Sequence, residues 1–256
     1  MTNQRTPTAE VAIIGGSGFY DLGASAEHVE IDTPWGVPSA PLALVEVDGR
    51  RVAFLSRHGA GHKVPPHAVN HRANLWALHE LGVRGVVASF ACGSLVPHLP
   101  PGQLVVPDQL IDRTTGRADT FHDRFDDGPA HVSFADPYDD ALRGRALAAG
   151  ATLGDDLHAG GTVVVINGPR FATRAESRWY RASGADLINM TQYPEAVLAR
   201  ELDLPYAAVG LVTDFDAGLD EHPDVVAVDQ EAVFEEFARH LPRLRAVVTA
   251  TALSIP

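Results

Sequence analysis

The stretch Val11-Ala12-Ile13-Ile14-Gly15-Gly16-Ser17-Gly18 decides the fold, because a short run of apolar residues ends abruptly in glycines. A continuous apolar run is typical of a strand that is buried on both faces of a mostly parallel sheet. The glycines permit a tight turn, and they also let backbone N–H groups approach a phosphate closely. No Lys-Ser/Thr pair follows, and Tyr20 and Asp21 replace the third glycine of a dinucleotide fingerprint. A tight turn and an anion site both remain open here.

Apolar runs of the same kind recur along the chain and predict further strands. They lie at residues 42–47, 52–55, 85–90, 103–106, 162–166, 186–190 and 206–212. Helical patterns lie between several of them, at residues 68–80, 137–149, 174–183, 194–201 and 230–253. Strands that alternate with helices predict an α/β domain. We find no repeat or linker, and we predict one domain over residues 1–256, with residues 1–8 flexible and an elaborated loop at 113–135.

The composition narrows the class of protein. Of 256 residues, 45% are hydrophobic and 21% are charged, which is typical of a globular chain. The net charge of −13 argues against a nucleic-acid-binding surface, so an anionic substrate would need cations gathered locally. A single cysteine, Cys92, excludes an intramolecular disulfide and a four-thiolate zinc site. With no signal-peptide pattern and no membrane-spanning run, we predict a reduced, soluble, cytoplasmic protein without membrane contact.

A cationic pair and a series of histidines follow the strand at 52–55. Arg57-His58 comes at the carboxyl end of that strand, where open α/β sheets gather binding sites, and arginine is a forked donor for anions. A surface arginine beside a histidine is the alternative. His67 and His71 have a spacing that suits zinc, within a series that also contains His58, His62 and His79. Two prolines interrupt this segment and no His-Glu-x-x-His pattern occurs, so we predict no metal.

Two acids follow the strand at 206–212. Asp214 and Asp216 are separated by one residue, so in an extended chain both carboxylates face the same side. They could hold a metal, perform acid–base chemistry, or accept hydrogen bonds from a ring; a cap on the local backbone is the alternative. After the strand at 186–190, Thr191 supplies a hydroxyl, and Met190 is either core or a soft apolar surface under a sugar.

When these signals are taken together, the chain resembles the trimeric purine nucleoside phosphorylase and methylthioadenosine phosphorylase family. The matching stretches run in the same order from residue 11 to about residue 216. They are residues 13–18, Arg57-His58-Gly59, residues 91–95, Pro107-Asp108-Gln109 with Asp112-Arg113-Thr114, Gly168-Pro169-Arg170-Phe171 with Arg174-Ala175-Glu176-Ser177, Asn189-Met190-Thr191, Pro194-Glu195, and Thr213-Asp214-Phe215-Asp216.

The resemblance implies a fold and a reaction. The fold would be a three-layer α/β/α sandwich with a central mixed, mostly parallel sheet, assembled as a homotrimer or as a hexamer of two trimers. The reaction would be reversible phosphorolysis, in which a nucleoside and phosphate give a purine base and a sugar 1-phosphate. It would need no cofactor and no metal, because inorganic phosphate is the co-substrate. The partners would be the nucleoside and phosphate only.

The resemblance also implies roles for individual residues. Phosphate would be surrounded by Ser17, Arg57, His58, Ala91 and Thr191. The nucleoside would be contacted by Phe171, Ala172, Met190, Asp214, Asp216, Val228 and, from a neighbouring subunit, His131. Met190 would lie under the ribose and Phe171 against the purine. We assign catalysis to Asp214 and His58, with Asp214 as the acid at the purine N7.

The base-edge residues predict which purine is used. An ionised carboxylate accepts hydrogen bonds but cannot donate them, so it suits the 6-amino group of adenine. Relatives that prefer 6-oxopurines carry Asn in place of Asp214 and Glu in place of Ala172. Burying a polar mismatch discriminates strongly. We therefore predict S-methyl-5′-thioadenosine, or another 5′-substituted adenosine, as the substrate.

Departures from the family pattern leave alternatives. Phe90 stands where relatives often have a threonine at the phosphate site, which removes a hydroxyl and adds bulk. Ser17 replaces a frequent threonine but keeps the hydroxyl, and Val228 with the helix segment Phe234–Phe237 would line the 5′ pocket. The alternatives are a nucleoside phosphorylase of broad or 6-oxopurine specificity, a non-catalytic nucleoside-binding protein, and a zinc hydrolase built on the histidines.

Overall fold

The computed structural model describes residues 8–16, 26–126, 128–217 and 229–256. Ser17, Val228 and all but the last residue of the predicted flexible segment 1–8 lie outside these ranges. Among the described residues, no helix is both long enough and apolar enough to cross a membrane.

One sheet of eleven strands runs through the described part of the chain. The strands are β1 (Val11–Gly15), β2 (Glu27–Val29), β3 (Leu42–Val47), β4 (Arg50–Ser56), β5 (Val86–Ser94), β6 (Leu104–Val106), β7 (Gln109–Arg113), β8 (His158–Ala159), β9 (Thr162–Ile166), β10 (Leu187–Asn189) and β11 (Tyr206–Asp214). The main order of strands is β2-β3-β4-β1-β5-β10-β9-β7. Outside this order, β11 pairs with both β5 and β6, and β6 also pairs with β8. Six of these ten pairings are parallel, so the sheet is mixed and mostly parallel, as predicted.

Helices cover both faces of the sheet. They are α1 (His71–Glu80), α2 (Asp140–Leu153), α3 (Arg174–Ala182), α4 (Gln192–Glu201) and α5 (Gln230–Leu253). Successive residues of a strand point to opposite faces. Ala12 and Ile14 of β1 accordingly pack in the core that α1 and α4 cover, and Val11 and Ile13 pack in the core that α2 and α5 cover. The prediction of a three-layer α/β/α sandwich is confirmed.

Local caps decide where the helices begin, later than predicted for α1 and as predicted for α3. Pro66–Ala68 forms a 3₁₀ turn, and α1 begins only at His71, because the Asn70 side chain accepts a hydrogen bond from the Ala73 N–H at 3.1 Å. Helix α3 begins with a capping box: Glu176 N–H donates to Thr173 Oγ1 and Thr173 N–H donates to the Glu176 carboxylate. This cap fixes the start of α3 next to residues 171 and 172, which belong to the candidate site.

The sequence missed three strands. Strand β2 has no buried residue and adds antiparallel to β3. Strand β7 ends at Arg113, the first residue of the predicted loop, and pairs parallel with β9. Strand β8 has only two residues. Polar edge strands lack the apolar run that reveals a central strand. The predicted loop is otherwise confirmed, because the described residues from 114 to 139 contain neither a helix nor a strand.

Candidate active site

A cavity of about 570 Å³ lies where β1, β4 and β11 end and where β5 meets β10. Such crevices at the ends of strands are the usual ligand sites of α/β sheets. Nine of the residues that were predicted for the site line this cavity. They are Arg57, His58, Ala91, Phe171, Ala172, Met190, Thr191, Asp214 and Asp216. The structure thus brings together residues from five separate segments, and their individual roles stay predictions.

Arg57 is fixed at the wall of the cavity by a buried carboxylate. Its Nε and Nη2 donate to the two oxygens of Glu195, at 2.7 and 2.8 Å, and its Nη1 donates to the Ser89 carbonyl at 2.8 Å. Both side chains of the ion pair are at most 1% exposed. Burial alone would raise the pKa of Glu195, but the charge and hydrogen bonds of Arg57 lower it below its ordinary value. The guanidinium is therefore held in one orientation.

Sequence reasoning did not identify Glu195 as the partner of Arg57. Glu195 appeared there only as part of a matching motif, without a role. A usable signal existed, because Glu195 directly precedes Ala196, Leu198 and Ala199 on α4, all of which are buried. A carboxylate on such a face has to find a cation or a set of donors.

His58 presents a neutral imidazole to the cavity. Its Nδ1 lies 2.9 Å from the Val64 carbonyl, which can only accept, so Nδ1 carries the hydrogen. Its ring stacks on that of His62 with centroids 4.2 Å apart. Burial, followed by the positive charge of Arg57, lowers the pKa of His58 to about 4. Near neutral pH, His58 therefore offers an Nε2 acceptor to a ligand and not a cation.

The low pKa of His58 predicts a stability change with pH. In the unfolded chain its pKa is 6.5, and in the folded chain about 4, so below pH 6.5 the unfolded state binds more protons. We expect this ring alone to lower the free energy of unfolding by about 2 kcal/mol between pH 7 and pH 5. Urea unfolding at both values and at one protein concentration should show that loss reduced in His58→Asn. Equal losses in the two proteins would contradict the assignment.

Asn189 organises the backbone around Thr191. Its Oδ1 accepts from the N–H groups of Thr191 and Gln192, at 2.7 and 2.8 Å, and its Nδ2 donates to the Ala91 carbonyl at 2.8 Å. One buried amide therefore ties the start of α4 to β5. Thr191 is itself buried, so its hydroxyl is presented at the cavity wall in a fixed position.

Met190 lies in a tight space below the loop at 167–172. A Cβ on Gly168 would collide with Met190 Sδ, and the φ of +62° at Gly168 also favours glycine. Arg117, from the long loop, donates to the carbonyls of Met190 and Asn167, at 2.8 and 3.2 Å. Sequence reasoning missed Arg117, since an arginine in an aperiodic loop gives no pattern. Phe171 is 36% exposed at the cavity mouth.

The first turn of α5 forms another wall of the cavity. Gln230, Val233 and Phe234 line it, and the ring of Phe234 meets that of His62 edge-on at 6.0 Å between centroids. Phe237, which the sequence also placed there, is 2% exposed and packs in the core between α5 and the sheet. The segment therefore contributes Phe234 to the wall but not Phe237, because residues three apart are offset by about 60° around a helix and Phe237 lies on the stripe that faces the sheet.

The two acids are held rigidly at the end of β11. Asp214 accepts from the Thr213 hydroxyl at 2.8 Å and from the Asp216 N–H at 2.7 Å. Asp216 is 3% exposed and accepts from the hydroxyl of Ser177 on α3, a partner that the sequence did not identify. Burial raises the pKa of both carboxyls, and these hydrogen bonds oppose the rise.

Phe90 does not project its ring freely into the cavity. Phe90 lies opposite Gly210 on the neighbouring strand β11. A Cβ added to Gly210 would lie 2.6 Å from the Phe90 Cζ atom, so the ring occupies the space that a side chain at Gly210 would need. The ring is buried in the core under α1 and α4, and Phe90 also contributes to the cavity wall. The bulk expected at the phosphate site is therefore taken up largely by the space above Gly210.

The remaining predictions concern residues outside the cavity. His131 is exposed, with its ring 5.5 Å from that of Phe125, and it does not line the cavity of this chain. Its suggested role in a neighbouring subunit stays a prediction. In the part of the chain that the structure describes, no group of three histidine, cysteine or acidic side chains is placed to hold a metal ion.

A comparison with known proteins identifies the family to which the chain belongs. The model of the Phosphorylase superfamily matches residues 10–253. The chain belongs to the phosphorylase superfamily. S-methyl-5′-thioadenosine phosphorylase of Mycolicibacterium smegmatis is 54% identical over 93% of this chain and 88% of its own length. A purine nucleoside phosphorylase of Streptomyces coelicolor is 49% identical over 97% of this chain and 90% of its own length.

Solved structures of the phosphorylase superfamily agree with the fold. Methylthioadenosine phosphorylase of Schistosoma mansoni in complex with adenine superposes with a TM-score of 0.87 at 38% identity. The match covers 96% of this chain and 92% of that one. The sequence-based assignment to this family is thereby confirmed.

Proposed function

We propose that this chain catalyses the phosphorolysis of S-methyl-5′-thioadenosine, or of a related 5′-substituted adenosine, to adenine and a 5-substituted ribose 1-phosphate. One observation carries the proposal: an oriented arginine and two acids, Asp214 and the buried Asp216, line the same cavity. Ala91 and Gly93 lie two residues apart on β5, about 7 Å. Gly93 is in contact distance of Asp214, so an anion beside Ala91 and a base beside Asp214 would be separated by about one sugar.

The residues present suit both halves of the reaction. A phosphate oxygen forms a bond to C1′ while the bond from C1′ to N9 breaks, and the electron pair leaves with the purine. Arg57 and the Thr191 hydroxyl are oriented donors for the anion, which reduces the reorganisation needed in the transition state. Neutral His58 would accept from the phosphate hydroxyl. Asp214, whose pKa is raised chiefly by burial, would protonate the purine at N7.

The base-edge groups support adenine over a 6-oxopurine. Asp216 is held by the hydroxyl of Ser177, a donor that favours its ionised, accepting form. An ionised Asp216 would accept from the 6-amino group and repel a 6-carbonyl. Ala172 is small and buried beside Phe171, so it offers no side-chain group to a 6-oxopurine.

The wall formed by α5 supports an apolar 5′ group. Val233, Phe234 and His62 present aliphatic and aromatic surface, and a thioether packs well on such a surface. The methylthioadenosine-named relatives agree with this choice.

The assembly and location form part of the same proposal. A homotrimer, or a pair of trimers, would let a neighbouring copy bring His131 to the 5′ end of the cavity. Phe125 beside it is 49% exposed, as expected for a contact surface. We place the enzyme in the cytoplasm, without cofactor or metal, since its single cysteine suits a reducing compartment.

A second candidate is a purine nucleoside phosphorylase of broad or 6-oxopurine specificity. The relative from Streptomyces coelicolor with that name is nearly as similar as the methylthioadenosine-named one. Overall identity therefore does not separate the two activities, and the base-edge residues have to.

A turnover panel tests the proposal. S-methyl-5′-thioadenosine, adenosine and inosine should be assayed with and without phosphate. We expect base release to require phosphate, and kcat/KM for inosine to lie about 100-fold or more below that for S-methyl-5′-thioadenosine. Release without phosphate would indicate a hydrolase, no release at all would indicate a binding protein, and equal turnover of inosine would favour the second candidate.

A further inference from the structure

We propose that Glu195 is a positioning residue for phosphate, acting through Arg57, and that Tyr206 in turn orients Glu195. The inference rests on the proposed function, since it takes the anion beside Arg57 to be phosphate. Neither Glu195 nor Tyr206 lines the cavity, so neither is placed to touch a substrate.

The geometry of the ion pair carries the first step. Glu195 accepts from Nε and Nη2 of Arg57 in the two-pronged arrangement that fixes a guanidinium in both position and plane. The Ser89 carbonyl takes a hydrogen bond from Nη1 on the other side. Because Arg57 is only 1% exposed, solvent gives it no alternative partner in this position. The orientation in which Arg57 meets an anion is thus set by Glu195 and β5.

The charge of the pair shows that Glu195 serves orientation and not attraction. An arginine and a glutamate cancel in net charge, so Glu195 reduces the pull of the site on an anion. Such a carboxylate is useful to binding only if a fixed donor direction outweighs the lost Coulomb attraction. Phosphate recognition by arginine depends on matched planar donors, which favours this balance.

Tyr206 supplies the second step. Its hydroxyl donates to Glu195 Oε1 at 2.7 Å and also lies 3.3 Å from Gln192 Oε1. Burial raises the pKa of Tyr206 well above its ordinary value, so the hydroxyl keeps its proton and remains a donor. The ring stacks on that of Tyr138 with centroids 6.1 Å apart, which restricts its rotation. Glu195 Oε1 therefore accepts from both Tyr206 and Arg57, so the hydroxyl adds a second fixed donor to the carboxylate.

His71 is the other titratable group against this carboxylate. Its Nδ1 lies 3.7 Å from Glu195 Oε2, beyond a hydrogen bond, and burial lowers its pKa. At 3.7 Å, His71 does not compete with the shorter hydrogen bonds that Arg57 donates to the carboxylate. Arg57 therefore remains the main partner of Glu195.

Single variants with matched controls test the inference. Glu195→Ala removes the clamp, Glu195→Gln keeps one acceptor, and Tyr206→Phe removes one hydroxyl without changing the ring. Glu201→Gln is the control on the same helix, since Glu201 accepts hydrogen bonds from Thr120 and Phe121 of the long loop. Tyr138→Phe is the control for the second step, because its hydroxyl reaches Gln192 but not Glu195.

The readouts are the KM for phosphate, the KM for nucleoside, and direct calorimetric binding of inorganic phosphate. We expect the phosphate KM and Kd to rise about 10-fold or more in Glu195→Ala, less in Glu195→Gln, and about 2- to 10-fold in Tyr206→Phe. The nucleoside KM and both controls should stay near the wild-type values. Partial recovery from Ala to Gln would support positioning.

Other outcomes would overturn the inference. Unchanged phosphate binding with a lowered Tm in Glu195→Gln and Tyr206→Phe would make the network purely structural. Tighter phosphate binding in Glu195→Gln would show that charge outweighs orientation. Wild-type turnover that does not need phosphate would instead sink the proposed function, and calorimetry would then still report whether Glu195 governs anion binding.

Discussion

Replacing Asp214 with asparagine is expected to lower kcat for S-methyl-5′-thioadenosine by about 10²- to 10⁴-fold, the usual contribution of a positioned general acid. Desolvation raises the pKa of this carboxyl, which in the proposed reaction would carry a proton to N7 as the base leaves. An amide has no acidic proton to transfer, although it can still donate a hydrogen bond. The loss should appear in single-turnover measurements of adenine release at saturating phosphate.

The same variant should change the choice of base. An asparagine at residue 214 presents an N–H group that a 6-oxopurine tolerates, so the ratio of inosine to S-methyl-5′-thioadenosine turnover should rise. The substitution keeps the side-chain shape, which matters because a Cβ on Gly93 would lie within 2.9 Å of Asp214 Oδ1. Asp186→Asn is a suitable control, since Asp186 accepts from the Thr162 N–H outside the cavity. An unchanged base ratio would refute the reading of the base edge.

The central strands were predictable because their signal is local. In β1, each residue from 11 to 14 is apolar, and the structure distributes them alternately to the cores on the two faces. The same holds for β5 and β11, whose residues are almost all buried. Strands β2 and β7 escaped prediction because an edge strand is defined by its neighbour and not by its own composition.

The site residues likewise fall into those that the sequence located and those that it did not. Residues at or just after the end of a strand, such as Arg57, Thr191 and Asp214, could be located from the sequence, since strand ends converge on one edge of the sheet. Their partners could not. Glu195 is 138 residues from Arg57 and Ser177 is 39 residues from Asp216, and no pattern along the chain joins such pairs.

The orientation of Phe90 shows the same limit. Its place in the alignment of motifs predicted bulk beside phosphate, but the consequence depends on the neighbouring strand. Gly210 lies opposite it in the register of β5 and β11 and leaves space for the ring. A residue on a different strand therefore decides how much of a side chain reaches the site.

Arg57→Ala is expected to have the second large effect, on phosphate. Loss of the charge-assisted donors should raise the KM for phosphate by about 10- to 150-fold while the nucleoside KM changes little. The variant also leaves Glu195 as an unpaired buried charge, and breaking such a pair costs about 3–5 kcal/mol of stability. Steady-state kinetics with each substrate varied in turn, together with chemical unfolding, would measure both terms.

Two further variants serve as comparisons. One separates the orientation of the Arg57 guanidinium from its charge, and the other tests the loss of a different arginine, on β4. Arg57→Lys keeps the positive charge but loses the planar fork, so it should restore part of the stability and little of the phosphate affinity. Arg51→Ala removes an arginine of β4 whose partner, Glu27, is exposed, and exposed pairs contribute little. It should therefore leave both KM values and the unfolding transition close to wild type. If Arg57→Ala raised the nucleoside KM and spared the phosphate KM, the anion would bind elsewhere in the cavity, and the chemistry assigned to this end of the sheet would be wrong.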